Sequence, residues 1–159
     1  MSQSAQIQLH QQFPTQILGV HAQHGNETLV CAPDAWLAIA TYARDALGFA
    51  MLTDLTCVDY LGDEPRFEVV AHIYNLTTKA RLRLKARVPE EKPEIASLFP
   101  IWPAANWLER EAYDLYGVKF TGHPDLRRIL MYDEFVGHPL RKDYPKEKRQ
   151  PLVRRDAAG

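Results

Sequence analysis

Residues 80–88 alternate without a break. Leu82, Leu84, Ala86 and Val88 fall on one side, and Arg81, Arg83, Lys85 and Arg87 fall on the other. Only an extended strand puts every second side chain on the same face, so this stretch belongs in a sheet with one dry face and one wet face. Two more extended runs precede it. Met51 to Tyr60 mixes apolar and β-branched residues with Asp54 and Asp59, and Arg66 to Leu76 is rich in Val, Ile, Phe and Tyr. Gly62-Asp63-Glu64-Pro65 reads as the turn between them. Upstream, Ile17 to His24 and Glu27 to Cys31 are short strand candidates about a Gly25-Asn26 turn. Pro33 opens a helix with Trp36, Leu37, Ala40, Ala43 and Leu47 on its apolar face and Gly48 as its stop. The acidic-then-apolar stretch after Pro89 predicts a short helix around Glu94 to Phe99. The order β-β-α-β-β-β-α, then coil, predicts an α+β fold. Its sheet is mostly antiparallel with helices packed on one face, followed by a long ordered coil and an extended C-terminal tail.

The last helix opens at Pro103, which suits the first helical position, and closes at Gly117, which can adopt the left-handed conformation. At 100° per residue, Ala104, Trp107, Leu108, Ala112 and Leu115 share one arc, and Glu111 falls inside it. A carboxylate among apolar neighbours must be protonated or meet a cation. Arg127, Arg128, Arg141 and Lys142 follow, so Glu111 is expected to pair with one of those arginines. Arg110 and Asp114, four residues apart at the edge of the arc, are expected to pair with each other. An acid–base role for Glu111 and Asp114 is the competing reading, but no nucleophile, cysteine cluster or glycine-rich cradle accompanies them.

At 159 residues the chain reads as one domain able to bury a core without disulfides or metals. The divisions expected are a mobile lead-in or short exposed helix (1–12), an α+β domain (13–117), an arginine-rich docking coil (118–145) and a flexible basic tail (146–159). The net charge of −1 does not indicate a general nucleic-acid or membrane binder. Cys31 and Cys57 stand apart in apolar surroundings and read as reduced core residues. No secretory signal pattern opens the chain, and no apolar run is long enough to span a bilayer. There is no GxGxxG, P-loop, CxxC or GxSxG, so the chain alone looks chemically inert.

The six histidines lack ligand spacing, and His123 and His138, each in a Gly-His-Pro, read as loop residues bonding to nearby backbone. The cationic face of residues 81–87 and the basic tail raise a nucleic-acid-binding module as an alternative, but no aromatics interleave with the cations. The long Pro-, Gly- and Arg-rich coil must satisfy its backbone polar groups through side chains, water or another chain. It is either a docking surface or a loop lying across its own sheet.

Glu109-Arg110-Glu111, Asp114-Leu115-Tyr116-Gly117, Gly122 to Leu130 (GHPDLRRIL) and Gly137 to Pro145 (GHPLRKDYP) closely resemble one family, and Leu55 to Tyr60, Arg66 to Val70 and Trp102 to Trp107 extend the likeness. That family is the 30 kDa subunit, or C subunit, of respiratory complex I, the proton-pumping NADH:quinone oxidoreductase. The resemblance implies a noncatalytic peripheral-arm subunit that supports electron transfer from NADH to quinone. FMN, iron–sulfur clusters and quinone would be held by partner subunits, and none by this chain. It implies docking to the quinone-site subunit, of the D type, and to the terminal-cluster subunit, of the B type. The chain would lie on the cytoplasmic side of the inner membrane as part of the hydrophilic arm. Contact with the membrane would come only through the complex. Carried over residue by residue, Glu109, Arg110, Glu111, Asp114, His123, Arg127, Arg128, Arg141, Lys142, Asp143 and Tyr144 form the family's shared patch, as interface or ion-pair positions rather than catalytic ones. Equivalent subunits of membrane-bound hydrogenases or plastid-type dehydrogenases carry the same resemblance.

Overall fold

A computed structural model describes residues 4–148 and 150. Five strands form one sheet: β1 (Ile17–His21), β2 (Thr28–Cys31), β3 (Met51–Asp59), β4 (Phe67–Tyr74) and β5 (Arg81–Val88), in the order β1-β2-β5-β4-β3. The β1–β2, β3–β4 and β4–β5 pairs are antiparallel, and β2–β5 is parallel. The expected α+β fold is therefore the observed one. The parallel pair arises because the chain leaves β2 through α2 (Trp36–Asp45) and enters the far edge at β3. A meander then brings β5 back beside β2.

The alternation in β5 does what the sequence requires. Leu82, Leu84, Ala86 and Val88 are buried, and opposite them in register lie Ile73, Ala71, Val69 and Phe67 of β4. Against this face pack Trp36, Ile39, Ala40 and Ala43 of α2, with Ala105 and Ala112 of α3 (Ala105–Tyr116). Each fully buried large apolar side chain contributes about 1.5–3 kcal/mol, so this layer dominates the stability of the domain. Cys31 and Cys57 are free and buried within it, and burial raises both thiols to about 12.

Residues 5–12 are more than a mobile lead-in or exposed helix. They form α1 (Ala5–Gln12), with Leu9 in the core and Gln6 Nε2 donating to the His21 and Thr28 carbonyls. Leu9 supplies the apolar contact that the glutamine-rich composition obscured. The helix expected around Glu94 to Phe99 is also absent. Residues 94–96 form β6 (Glu94–Ala96), which pairs in parallel with β7 (Lys119–Thr121), Ile95 opposite Phe120. Both of those side chains are buried, and this non-local pairing overrides the local pattern. The coil expected from residue 118 thus begins with a short strand. Beyond Thr121 no further helix or strand occurs among the described residues, and most of the expected basic tail lies outside them.

Candidate functional site

α3 is buried on two sides. One side faces the core through Ala105, Glu109 and Ala112, and the other lies under the coil through Arg110 and Asp114. The exposed arc carries Trp107 and Glu111. The apolar arc expected from the sequence is thus rotated. Trp107 is outside, and a glutamate takes a core position.

That glutamate is Glu109, fully buried. Its carboxylate accepts hydrogen bonds from Ser97 Oγ (2.6 Å) and the Leu98 N–H (2.6 Å), which ties the turn after β6 to the helix. Burial pushes its carboxyl up to about 7, against the opposing pull of those two donors. Glu111, by contrast, is exposed and makes no ion pair among the described residues. The expected Glu111–arginine pair does not form, because Glu111 points to water and needs no counter-charge.

Asp114 is the acid that meets the coil. One carboxylate oxygen accepts the N–H groups of Ile129 (3.0 Å), Leu130 (2.7 Å) and Met131 (2.9 Å), and the other lies 3.3 Å from Arg128. Arg128 also donates to the Gly137 carbonyl, 2.9 Å away. The expected Arg110–Asp114 pair is replaced by a different arrangement. Arg110 donates to the Arg127 and Arg128 carbonyls and lies over the Trp107 ring. Helix acid and helix base each bind the coil backbone instead of one another.

The coil reciprocates at the C-terminus of the helix, whose last four carbonyls have no helical partner. Gly117, at φ 77°, donates its N–H to the Tyr113 carbonyl. His138 Nδ1 binds the Asp114 carbonyl (2.8 Å), the Leu140 N–H binds Leu115 (3.1 Å), and Arg141 Nε binds Tyr116 (2.6 Å). All four carbonyls are satisfied, and the Arg141 charge sits at the negative end of the helix dipole. Burial, with Arg141 and Arg128 nearby, holds His138 below the usual imidazole range. His123 accepts the Asp125 N–H at Nδ1 and donates from Nε2 to the Asn106 carbonyl. Both histidines are thus backbone-bonding loop residues, as expected.

The far end of the coil is fastened to the sheet by a pair that sequence reasoning does not single out. Arg66, 1% exposed, makes a bidentate pair with Asp59 (2.7 and 2.8 Å). It also contacts Asp143 (2.9 and 3.1 Å) and Glu90 (2.6 Å). Asp59 in turn accepts the Lys142 N–H at 2.7 Å. The Arg66 guanidinium holds the Asp59 and Asp143 carboxyls below their ordinary range. Tyr144 stacks on Phe135 at 5.8 Å. The Arg127 side chain is largely exposed, its only ion pair among the described residues being with the exposed Asp125. Asp59 and Arg66 both lie within stretches that carry the family likeness. Nothing in their spacing marks them as partners, because they face each other only across the β3–β4 turn.

Chemically this arrangement binds backbone and charge. Among the described residues no group of three or more His, Cys, Asp or Glu is placed to hold a metal, and no helix is long and apolar enough to cross a membrane.

Residues 29–150 match the family described as respiratory-chain NADH dehydrogenase, 30 Kd subunit. The chain is 49% identical over 141 residues to the NADH-quinone oxidoreductase C subunit of Geotalea uraniireducens, covering 89% of this chain and 86% of the relative. It is 53% identical over 116 residues to the protein of the same name from Moorella thermoacetica, covering 73% and 78%. Among solved structures, the trypsin-resistant fragment (1-134) of Nqo5 is similar at a TM-score of 0.64 and 33% identity, covering 68% of this chain and 89% of that one. A chain of the membrane-bound sulfane sulfur reductase, an archaeal respiratory membrane complex, shares the fold at a TM-score of 0.76 and 23% identity, covering 89% and 84%.

Proposed function

The chain belongs to the 30 kDa subunit family of the respiratory-chain NADH dehydrogenase, and from that premise we propose that its contribution is to hold neighbouring subunits in register through the coil on α3. It is a peripheral-arm subunit of NADH:quinone oxidoreductase. The partners in this reading are the subunit that lines the quinone site and the subunit that carries the terminal iron–sulfur cluster. The FMN, clusters and quinone are held by other subunits of the complex, and the assembly lies on the cytoplasmic side of the membrane. Electron tunnelling between partners depends on fixed geometry, and a rigid plate between them supplies it.

One observation carries this reading. The coil is fully fastened on its inner side yet presents large apolar side chains outward: Leu130 is 57% exposed, Val136 64% and Leu140 47%, beside Trp107 at 62%. A segment without helix or strand that is ordered by its own helix, with apolar side chains turned to solvent, is preorganised to dock. Arg127, with its side chain largely exposed, suits the same surface.

A Leu130→Asp/Val136→Asp chain tests this. It is expected to fold normally on its own but to enter the assembled complex poorly, and Arg127→Ala is expected to act in the same direction more weakly. A complex present in normal amount, with only its quinone affinity changed, would overturn the reading.

A further inference from the structure

The second surface lies on the face of the sheet turned away from the helices. There the four cations of β5 divide into two pairs. Lys85 is held by Glu68 at 2.8 Å, and Arg87 by Asp63 at 3.3 Å. Arg81 and Arg83 have no carboxylate partner among the described residues; Arg81 only lies over the Tyr74 ring, 5.9 Å away. Arg83 is half-buried, and its five N–H donors find no acceptor on the described protein.

These two arginines line a cleft of about 690 Å³, open to solvent, together with Met51, Asp54, His72 and Tyr74. Register places Arg83, His72 and Asp54 in one row across β5, β4 and β3, and Arg81, Tyr74 and Met51 in the next. His72 forms the floor. Burial and the adjacent Arg83 lower its pKa, so it adds no charge at neutral pH. Asp54 and Glu27 on the rim are negative. The cleft is therefore polar from side to side, cationic along β5 and anionic towards β3 and the β1–β2 turn. Arg, Tyr and Met are the residue types enriched where proteins meet.

We propose that this cleft receives an acidic segment of a neighbouring protein, its carboxylates paired with Arg81 and Arg83 and its apolar side chains against Met51 and Tyr74. The rim carboxylates set the polarity of the guest. A donor or cation of the segment must follow its acid to meet Asp54, and a uniform polyanion such as nucleic acid is repelled there. This contact goes beyond the coil-docking surface and uses different residues on a different face.

The test uses the assembled complex with a photoactivatable residue replacing Met51. The expected crosslink joins this chain to a peptide of another subunit that carries Asp or Glu at the joined site. Arg81→Glu/Arg83→Glu is expected to cut the crosslink yield by about tenfold while the unfolding midpoint of the free chain stays put. Reversing the mapped acid to Lys is expected to restore it. Crosslinks confined to this chain would overturn the proposal. So would a joined peptide without an acid, a yield indifferent to the charge reversal, or competition by single-stranded nucleic acid. Chains with charge-reversed arginines still enter the complex through the coil. Exclusion from the complex that the acid-to-Lys change does not restore counts against the cleft, whereas exclusion of the Leu130→Asp/Val136→Asp chain reads the coil alone.

Discussion

Two glutamates two residues apart on α3 show how far environment sets chemistry. Glu109 is sealed between the helix and the Ser97–Leu98 turn and forms no ion pair among the described residues, and burial raises its carboxyl from an ordinary 4.5 to about 7. Between those values the folded protein keeps the proton that the unfolded chain has released. Stability therefore falls as pH rises across that window, by roughly 3 kcal/mol in all, and is level above it. Urea unfolding at pH 5 and pH 8 is expected to show the fall, and Glu109→Gln, which keeps the shape and removes the charge, is expected to flatten it. An unchanged slope in the variant would mean that Glu109 does not titrate there. Glu111, in water on the opposite side of the helix, is expected to tolerate Ala within about 0.5 kcal/mol in the same measurement.

At the scale of elements, α3 and the coil complete one another. The helix lends side chains to the coil backbone through Arg110 and Asp114, and the coil lends His138, Leu140 and Arg141 to the helix carbonyls. Gly117 allows the return path. A Cβ there would stand 2.6 Å from both Arg141 and His138, and its φ of 77° is one that other residues rarely adopt. Asp114 is the joint with the most partners, three N–H groups and a guanidinium. Asp114→Asn keeps an acceptor but loses the charge, and is expected to cost about 3 kcal/mol. Hydrogen exchange is expected to show the loss concentrated at residues 127–141, with the β4–β5 ladder still protected. Equal exposure of sheet and coil would show that the two unfold as one unit.

For the whole molecule, the question is what joins the coil to the sheet rather than only to the helix. Arg66 does so, linking Asp59 at the end of β3 with Glu90 after β5 and Asp143 near the end of the coil. Arg66→Met would strand the buried Asp59 without its partner, which is expected to cost about 3–5 kcal/mol in an unfolding titration. Because the Asp59 carboxyl lies below its ordinary value when folded, its contribution is present above the unfolded pKa. It is lost as pH falls through the folded one. The Met variant is accordingly expected to lose less stability on acidification than the parent. The two directions of pH dependence, one from Glu109 and one from Asp59, are separable by these two substitutions.

The five strands of the main sheet, α2 and the C-terminal glycine of α3 were legible in the sequence because each rests on a local period or a local backbone demand. The alternation of residues 81–88 admits one geometry, and Gly117 sits where a left-handed residue closes a helix. So was the family, through residues spread along the chain. The tertiary structure alone decided which acid is buried, which arginine it meets and where the 94–96 segment pairs. Those outcomes depend on groups brought together from distant parts of the chain: Ser97 against Glu109, Ile129 to Met131 against Asp114, Asp143 against Arg66, Phe120 beside Ile95. A helical wheel weighs apolar surface only. It put Trp107 and Glu111 inside, whereas burial followed hydrogen-bond satisfaction: Glu109, a carboxylate with two donors, can occupy the core, and an indole under a guanidinium can remain in water.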